Sequence, residues 1–270
     1  MTRRMRLGVI GAGNVGTALI RGAVRSNSEI IASDVDEERL SSLRDELGIE
    51  TTTDNVEAAK RSDMVLLAVT PQIVEEVLSE IREELKGKSV ISIAAGVSTS
   101  FIESMIPEGT PVIRAMPNIA AMVGEAATAL AKGKNCNKKH YEMAKEIFEK
   151  VGKVVEVGEE LMDAVTGLSG TGPMYIFVMV EALSDAGVKA GLPRKISDEL
   201  AIQTLYGSSK MARDLGWHPA TLRDLVTSPG GTAISALHSL ERDGFKASLM
   251  EAVEVATRRS SELGKRFERR

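Results

Sequence analysis

The sequence predicts a doubly wound α/β domain with a mainly parallel sheet over residues 1–158, followed by an all-α domain over residues 159–270. Three observations predict it. A short apolar strand runs straight into a glycine-rich turn and a helix, further apolar runs alternate with helical stretches, and strand patterning stops near Glu159. A length of 270 residues exceeds one average domain, and 43% hydrophobic with 27% charged residues is a globular composition.

Arg6-Leu-Gly-Val-Ile10 reads as a buried strand, and it leads into Gly11-Ala-Gly-Asn-Val-Gly16 and a helix over residues 17–25. In that setting Gly11 permits the tight turn, Gly13 lets backbone approach a ligand, and Gly16 lets helix and strand pack closely. The helix start then offers N–H groups and partial positive charge to a pyrophosphate, so the turn is the fingerprint of a Rossmann dinucleotide-binding domain. The second strand, Glu29-Ile-Ile-Ala-Ser33, ends at Asp34, where an acid can accept hydrogen bonds from an adenosine ribose and repel a 2′-phosphate. That position favours NADH over NADPH. Asp36, Glu37 and Glu38 add negative charge nearby and Arg39 offsets some of it. The competing reading is that Asp34 only caps the helix beginning near Asp36.

Met64-Val-Leu-Leu-Ala-Val69, Ser89-Val-Ile-Ser-Ile93 and Pro111-Val-Ile-Arg114 continue the strands, with an amphipathic helix over residues 72–85. Ligands of such sheets lie beyond the carboxyl ends of the strands. Three segments are therefore expected to face the cofactor: Ala68, Val69, Thr70 and Pro71; Ala94, Ala95 and Gly96; and Met116, Pro117 and Asn118.

After Glu159 the pattern is helical, interrupted by Gly167-Leu-Ser-Gly-Thr-Gly-Pro173, with Pro173 suited to a first helical turn. Met174-Tyr-Ile-Phe-Val-Met-Val180 is apolar on every face, which requires burial inside a larger helical domain or against a second subunit. Ala201, Leu205, Ser208, Ala212 and Leu215 form a narrow seam of mostly small residues, and an obligate homodimer is expected. In Thr227-Ser-Pro-Gly-Gly-Thr232, Gly230 and Gly231 free the backbone to aim N–H groups at a small carboxylate, and Ser228 and Thr232 offer hydroxyls. The competing reading is a plain helix start capped by Ser228 or Thr232.

The balance of 34 basic against 38 acidic residues gives a net charge of −4, which argues against nucleic acid or an anionic membrane as a partner. A single cysteine, Cys136, excludes an intrachain disulfide, and His140, His218 and His238 lack zinc-ligand spacing, so no metal and a reducing, cytoplasmic setting are expected. Cys136 sits in a lysine-rich stretch that reads as a solvated turn with an incidental thiol. The opening Thr2-Arg-Arg-Met-Arg-Leu7 resembles an export signal, but cleavage would remove the glycine motif.

Taken with Ile10-Gly-Ala-Gly-Asn14, Ala68-Val-Thr-Pro71, Ser92-Ile-Ala-Ala-Gly-Val97, Ile113-Arg-Ala-Met-Pro-Asn118, Asp163 to Pro173, Gly191-Leu-Pro-Arg194 and His218-Pro219 through Ser228-Pro-Gly-Gly-Thr232, the chain resembles pyrroline-5-carboxylate reductases along its length. The resemblance implies a Rossmann domain, a helical domain that interlocks with a partner subunit, often in a ring of dimers, and NAD(P)H-dependent reduction of a cyclic imino acid to proline. It places the dinucleotide on Gly11, Ala12, Gly13, Asn14 and Val15, with Asn55 and the segment from Ala68 to Pro71 beside it. It places the substrate carboxylate on N–H groups of the turn formed by Pro229, Gly230, Gly231, Thr232 and Ala233, with Ser228 leading into it.

Two departures from the family pattern stand out. Ala233 replaces a second threonine, leaving Thr232, the backbone or water to orient the ring nitrogen, and Asp34 stands where members that prefer NADPH carry a small or basic residue. No general acid is assigned; Glu159 and Asp224 read as structural or peripheral. The similar β-hydroxyacid dehydrogenases need a helix lysine where this chain has Ile176. A catalytically silent dinucleotide-binding regulator and a reductase of a six-membered imine are the remaining alternatives.

Overall fold

The structure is a computed structural model that describes residues 4–26 and 28–268; Thr2 and Arg3 of the opening basic run lie outside them. The chain divides into two units, Met1–Thr171 with Glu254–Arg270, and Gly172–Val253.

The first unit is built on one eight-stranded sheet in the order β3-β2-β1-β4-β5-β6-β7-β8. Its strands are β1 (Arg6–Ile10), β2 (Glu29–Ser33), β3 (Glu50–Thr52), β4 (Met64–Leu67), β5 (Ser89–Ser92), β6 (Val112–Met116), β7 (Ala126–Lys132) and β8 (Gly152–Glu156). All neighbours are parallel except β6 and β7. The order reverses at β1, whose neighbours are β2 and β4, and such a reversal opens a crevice beyond the carboxyl ends. The register levels those ends: Ser33, Ile10, Leu67, Ser92 and Arg114 pair across one row.

Apolar side chains fill both faces. On one, Leu19 and Ile20 of α1 (Asn14–Val24), Leu40 and Leu43 of α2 (Glu37–Leu47) and Phe148 of α6 (Lys138–Glu149) pack on the sheet. On the other, the packing comes from Val74, Leu78 and Ile81 of α4 (Val74–Ile81) and Ile102 of α5 (Thr99–Met105). A short α3 (Asn55–Lys60) precedes β4. The amphipathic stretch 72–85 is divided: α4 is flanked by 3-10 turns at Pro71–Ile73 and Arg82–Leu85. The tail of α12 (Phe245–Glu268) returns to this unit, where the Phe101 and Phe267 rings lie 5.0 Å apart.

The second unit holds α8 (Gly172–Lys189), α9 (Arg194–Leu215), α10 (Pro219–Leu225), α11 (Thr232–Arg242) and the start of α12. Small residues let α8 and α9 approach: the Ser197 hydroxyl donates to the Ser184 carbonyl at 2.6 Å, and Ala201 is buried on the same helix. Within this unit only Ser184, Ser197 and Ala201 are buried. Met174, Ile176, Phe177 and Val178 of the all-apolar stretch are exposed, Phe177 by 65%, so burial inside a larger helical domain of the same chain is not what occurs. The expected seam splits likewise, with Ala201 covered and Ser208 and Leu215 open.

No helix among the described residues is long and apolar enough to cross a membrane.

Candidate functional site

The row of strand ends continues into the glycine turn. Gly11 adopts a left-handed φ of 99°, donates its N–H to Ser33 at 2.8 Å, and has no room for a side chain, since a Cβ would stand 2.6 Å from the Ala68 carbonyl oxygen. Gly13 is the N-cap of α1 and contributes no capping side chain, and nothing lies within 4 Å of the place a Cβ would take. Four other helices of this unit are capped by polar side chains: Asp36 on α2, Asp54 on α3, Ser98 on α5 and Asn137 on α6. At α1 that group is missing and the space above the first N–H groups is open, which suits a pyrophosphate.

Asp34 is bound into this turn. Its Oδ2 accepts the Ala12 N–H at 2.6 Å, its Oδ1 accepts the Asp36 N–H at 3.0 Å, and Arg39 Nη1 approaches Oδ2 at 3.4 Å. The capping reading is corrected: Asp36, accepting the Arg39 N–H at 3.0 Å, caps α2. Arg39 also pairs with Asp36 at 3.2 Å, which leaves two carboxylates around one guanidinium.

Asn55 opens α3. It accepts the buried Ser33 hydroxyl at 2.8 Å and donates to Glu80 at 2.8 Å, which fixes its amide beside the end of β2. Ala68 donates to Ile10 at 2.8 Å, and Ala68, Val69, Thr70 and Pro71 all keep exposed surface past the end of β4. Of the next expected segment, Ala94 and Gly96 are buried and Ala95 is half-buried. Gly96 faces the backbone of α12, where a Cβ would stand 3.1 Å from the Gly264 nitrogen.

The expected interruption at residues 167–173 is a widened helical turn. After α7 (Met162–Val165), Thr166–Gly170 forms a π-turn closed by the Thr171 N–H on the Thr166 carbonyl at 2.8 Å. Single π-turns inside helices tend to accompany function. One face of β6 holds this segment. The buried Arg114 reaches Glu159 at 3.5 Å and Asp163 at 3.9 Å, the Met116 methyl lies where a Gly170 side chain would project, and Asn118 donates its amide to the Ser169 carbonyl at 3.0 Å. Asp163 also accepts the Ser260 hydroxyl of α12 at 2.7 Å, and Glu159 accepts both the N–H and the hydroxyl of Thr99. Glu159 is thus occupied by structural bonds. The sequence spacing Arg114, Met116, Asn118 carried this information as alternate residues of one strand face.

In the second unit, the turn before α11 is closed by the Gly231 N–H on the Ser228 carbonyl at 3.1 Å, with Gly230 at a left-handed φ of 67°. Gly231 is the N-cap, and neither Ser228 nor Thr232 caps the helix, which corrects the plain-cap reading. The start of α11 therefore repeats the arrangement at α1, with Pro229, Thr232 and Ala233 around an uncapped helix end. Ser228 and Thr232 are exposed, and the Ser228 hydroxyl lies 2.2 Å from the place a Gly231 Cβ would take.

The remaining titratable groups offer no nucleophile or acid in these turns. Burial pushes the Cys136 thiol up, against the pull of Lys132, and Asp224 is exposed and paired with Arg223 at 3.0 Å. No metal-binding cluster of His, Cys, Asp or Glu occurs among the described residues.

A levelled row of parallel strand ends, an uncapped helix over the reversal point and an acid tied to the turn together define a dinucleotide-binding protein of the Rossmann class. A family model for pyrroline-5-carboxylate reductase dimerisation matches residues 159–263, and one for coenzyme F420-dependent NADP oxidoreductases matches residues 6–96. The chain is 49% identical over 266 residues to a pyrroline-5-carboxylate reductase of Methanosarcina acetivorans, covering 97% of this chain and 98% of that one. It is 44% identical to one from Synechocystis, covering 97% and 99%. Among solved structures, a pyrroline-5-carboxylate reductase from Coxiella burnetii superposes with a TM-score of 0.91 at 32% identity over 97% of this chain and 99% of that one. The NADP-bound Plasmodium falciparum pyrroline carboxylate reductase gives 0.87 at 32% identity, over 96% and 98%. The chain belongs to the pyrroline-5-carboxylate reductase family.

Proposed function

We propose that this chain reduces the C=N bond of pyrroline-5-carboxylate with NADH or NADPH, giving L-proline. The observation that carries the reading is the uncapped, glycine-turned start of α11 in a chain of this family, a helix end whose first N–H groups suit a carboxylate. Gly11, Ala12, Gly13, Asn14 and Val15 hold the pyrophosphate, Asp34 the adenosine ribose, and Asn55 with Ala68, Val69, Thr70, Pro71 and Ala95 line the crevice, while Ala94 and the α12-packed Gly96 support the Ala95 loop from beneath. Bound there, the reduced nicotinamide supplies a hydride to the ring carbon of the C=N bond.

The chain's own work is orientation. Ser228, Pro229, Gly230, Gly231, Thr232 and Ala233 fix the carboxylate and therefore the ring, and correct positioning contributes several kcal/mol. A protonated imine is already electrophilic, so the substrate brings its proton and no general acid is required. Thr232 is the hydroxyl left to orient the ring nitrogen where Ala233 offers none. Asp34 gives NADH the advantage over NADPH.

The second unit, with three buried residues and Phe177, Leu225, Val226 and Met250 exposed, completes its core against a second copy of the chain. A homodimer is the minimum assembly, a ring of dimers the larger one, and the cytoplasm the setting. Formation of L-proline from the imino acid and reduced dinucleotide, identified by chiral chromatography, tests the activity. Dinucleotide binding without any product would favour the silent regulator, the reading that the missing hydroxyl at Ala233 supports.

A further inference from the structure

Asn118 lies two residues past the end of β6, whose last residue Met116 packs on the π-turn, and both ends of its amide are spoken for. Its Oδ1 accepts the Ala120 N–H at 3.2 Å, capping the 3-10 turn Ile119–Val123, and its Nδ2 donates to the Ser169 carbonyl at 3.0 Å. A carbonyl needs a donor and an N–H an acceptor, so these two partners also fix which way the amide faces.

The place of this contact on the sheet gives it meaning. Were the pyrophosphate held at the start of α1 and the adenosine ribose at Asp34, just past β2, the nicotinamide half of a dinucleotide would lie on the other side of β1, towards β4, β5 and β6. Met116 and Asn118 lie beyond the levelled row of strand ends on β6. The π-turn they hold thus borders the nicotinamide end of the crevice. Its backbone is held by the Thr171 N–H and hydroxyl, both on the Thr166 carbonyl at 2.8 and 3.0 Å, and by the amide of Asn118.

Resting on the reductase reading, we propose that Asn118 is a positioning residue for hydride transfer. It clamps the π-turn Thr166–Gly170 to the carboxyl end of β6 and so sets the wall at the nicotinamide end of the crevice. Released, the turn relaxes towards ordinary helix, Thr171 moves, and the reacting atoms lose alignment, while the pyrophosphate and ribose contacts at Gly13 and Asp34 stay intact.

Asn118→Ser isolates the clamp, because serine retains the capping acceptor for Ala120 and is too short to reach Ser169. Asn118→Asp is the second variant: it also caps, and it sets a carboxylate oxygen against the Ser169 carbonyl. Three readouts are taken on the full chain: NADH dissociation constant by fluorescence, amide hydrogen exchange of Thr171 without ligand, and kcat with its primary deuterium isotope effect. The expected result is exchange at Thr171 accelerated about tenfold, kcat lowered about ten- to a hundredfold with a larger isotope effect, and an NADH dissociation constant within about twofold of the parent. A parent-like kcat, or a loss of NADH affinity matching the loss of kcat, in either variant overturns the proposal. If the parent itself fails to turn over, the reductase reading falls and this role for Asn118 falls with it, a result distinct from an active parent with unaffected variants.

Discussion

The Ala12 N–H donates to the Asp34 carboxylate at 2.6 Å, so the acid expected to read the ribose also holds the glycine turn in shape. Replacing Asp34 therefore disturbs two things at once. Asp34→Ser is expected to raise the KM for NADH about tenfold and to shift the NADH/NADPH ratio of kcat/KM towards NADPH, because a negative charge near the 2′-phosphate is gone. The bereft Ala12 N–H costs about 1–3 kcal/mol in unfolding free energy. Steady-state kinetics with both coenzymes and denaturant melts check these together, and an unchanged coenzyme ratio would remove Asp34 from the specificity argument.

Gly11 and Gly13 separate folding from binding. Gly11→Ala forces a methyl to within 2.6 Å of the Ala68 oxygen at a φ of 99°, and the cost of about 1–3 kcal/mol or more appears as a lower melting temperature. Gly13→Ala meets nothing within 4 Å and keeps its melting temperature, but its methyl enters the space assigned to pyrophosphate. NADH titration of the second variant should show affinity lost about tenfold or more. Equal melting temperatures for both variants would refute the assignment of separate roles.

Gly231→Ala probes the other cradle. The backbone angles permit alanine there, while its Cβ would lie 2.2 Å from the Ser228 hydroxyl oxygen and push that side chain aside. The KM for the imino acid is expected to rise about tenfold with the NADH dissociation constant unchanged. A selective loss of NADH affinity would move this turn from the substrate to the coenzyme.

Much of this was legible in the sequence because period and glycine spacing are local. Five of the eight strands were predictable from β-branched runs, and the glycine turn from its place between strand and helix. The three unpredicted strands have physical reasons. β3 is three polar residues long, β7 reads Ala-Ala-Thr-Ala-Leu-Ala-Lys with little β-branching, and β8 exposes Lys153, Val155 and Glu156. Asp34's bond to Ala12, and the contacts of Met116 and Asn118 with the π-turn, join residues far apart in the chain, and only the alternation of residues 114, 116 and 118 hinted at the second. The bare starts of α1 and α11 were visible as glycines, but only the backbone angles distinguish an empty cap from a filled one.

The helix α6 carries a pH-dependent element. Asn137 and His140 form a capping box in which His140 Nδ1 accepts the Asn137 N–H at 3.3 Å, and burial, then Lys139, lowers the His140 pKa. The folded state thus favours the neutral ring, and the unfolded state binds more protons just below the ordinary histidine value of about 6.5. Stability contributed here is complete above that pH and is lost as pH falls from it towards the lower folded value. His140→Gln preserves a capping box without titrating, so its unfolding free energy should fall less between neutral and mildly acidic pH than that of the parent. Identical pH profiles would show that His140 is not the group responsible.

Initial rates of reduced-nicotinamide oxidation with pyrroline-5-carboxylate, run in parallel with NADH and NADPH, test the central claim most directly. The account predicts turnover with release of proline and a higher kcat/KM for NADH. The absence of turnover with either coenzyme, from protein that binds both, would contradict it.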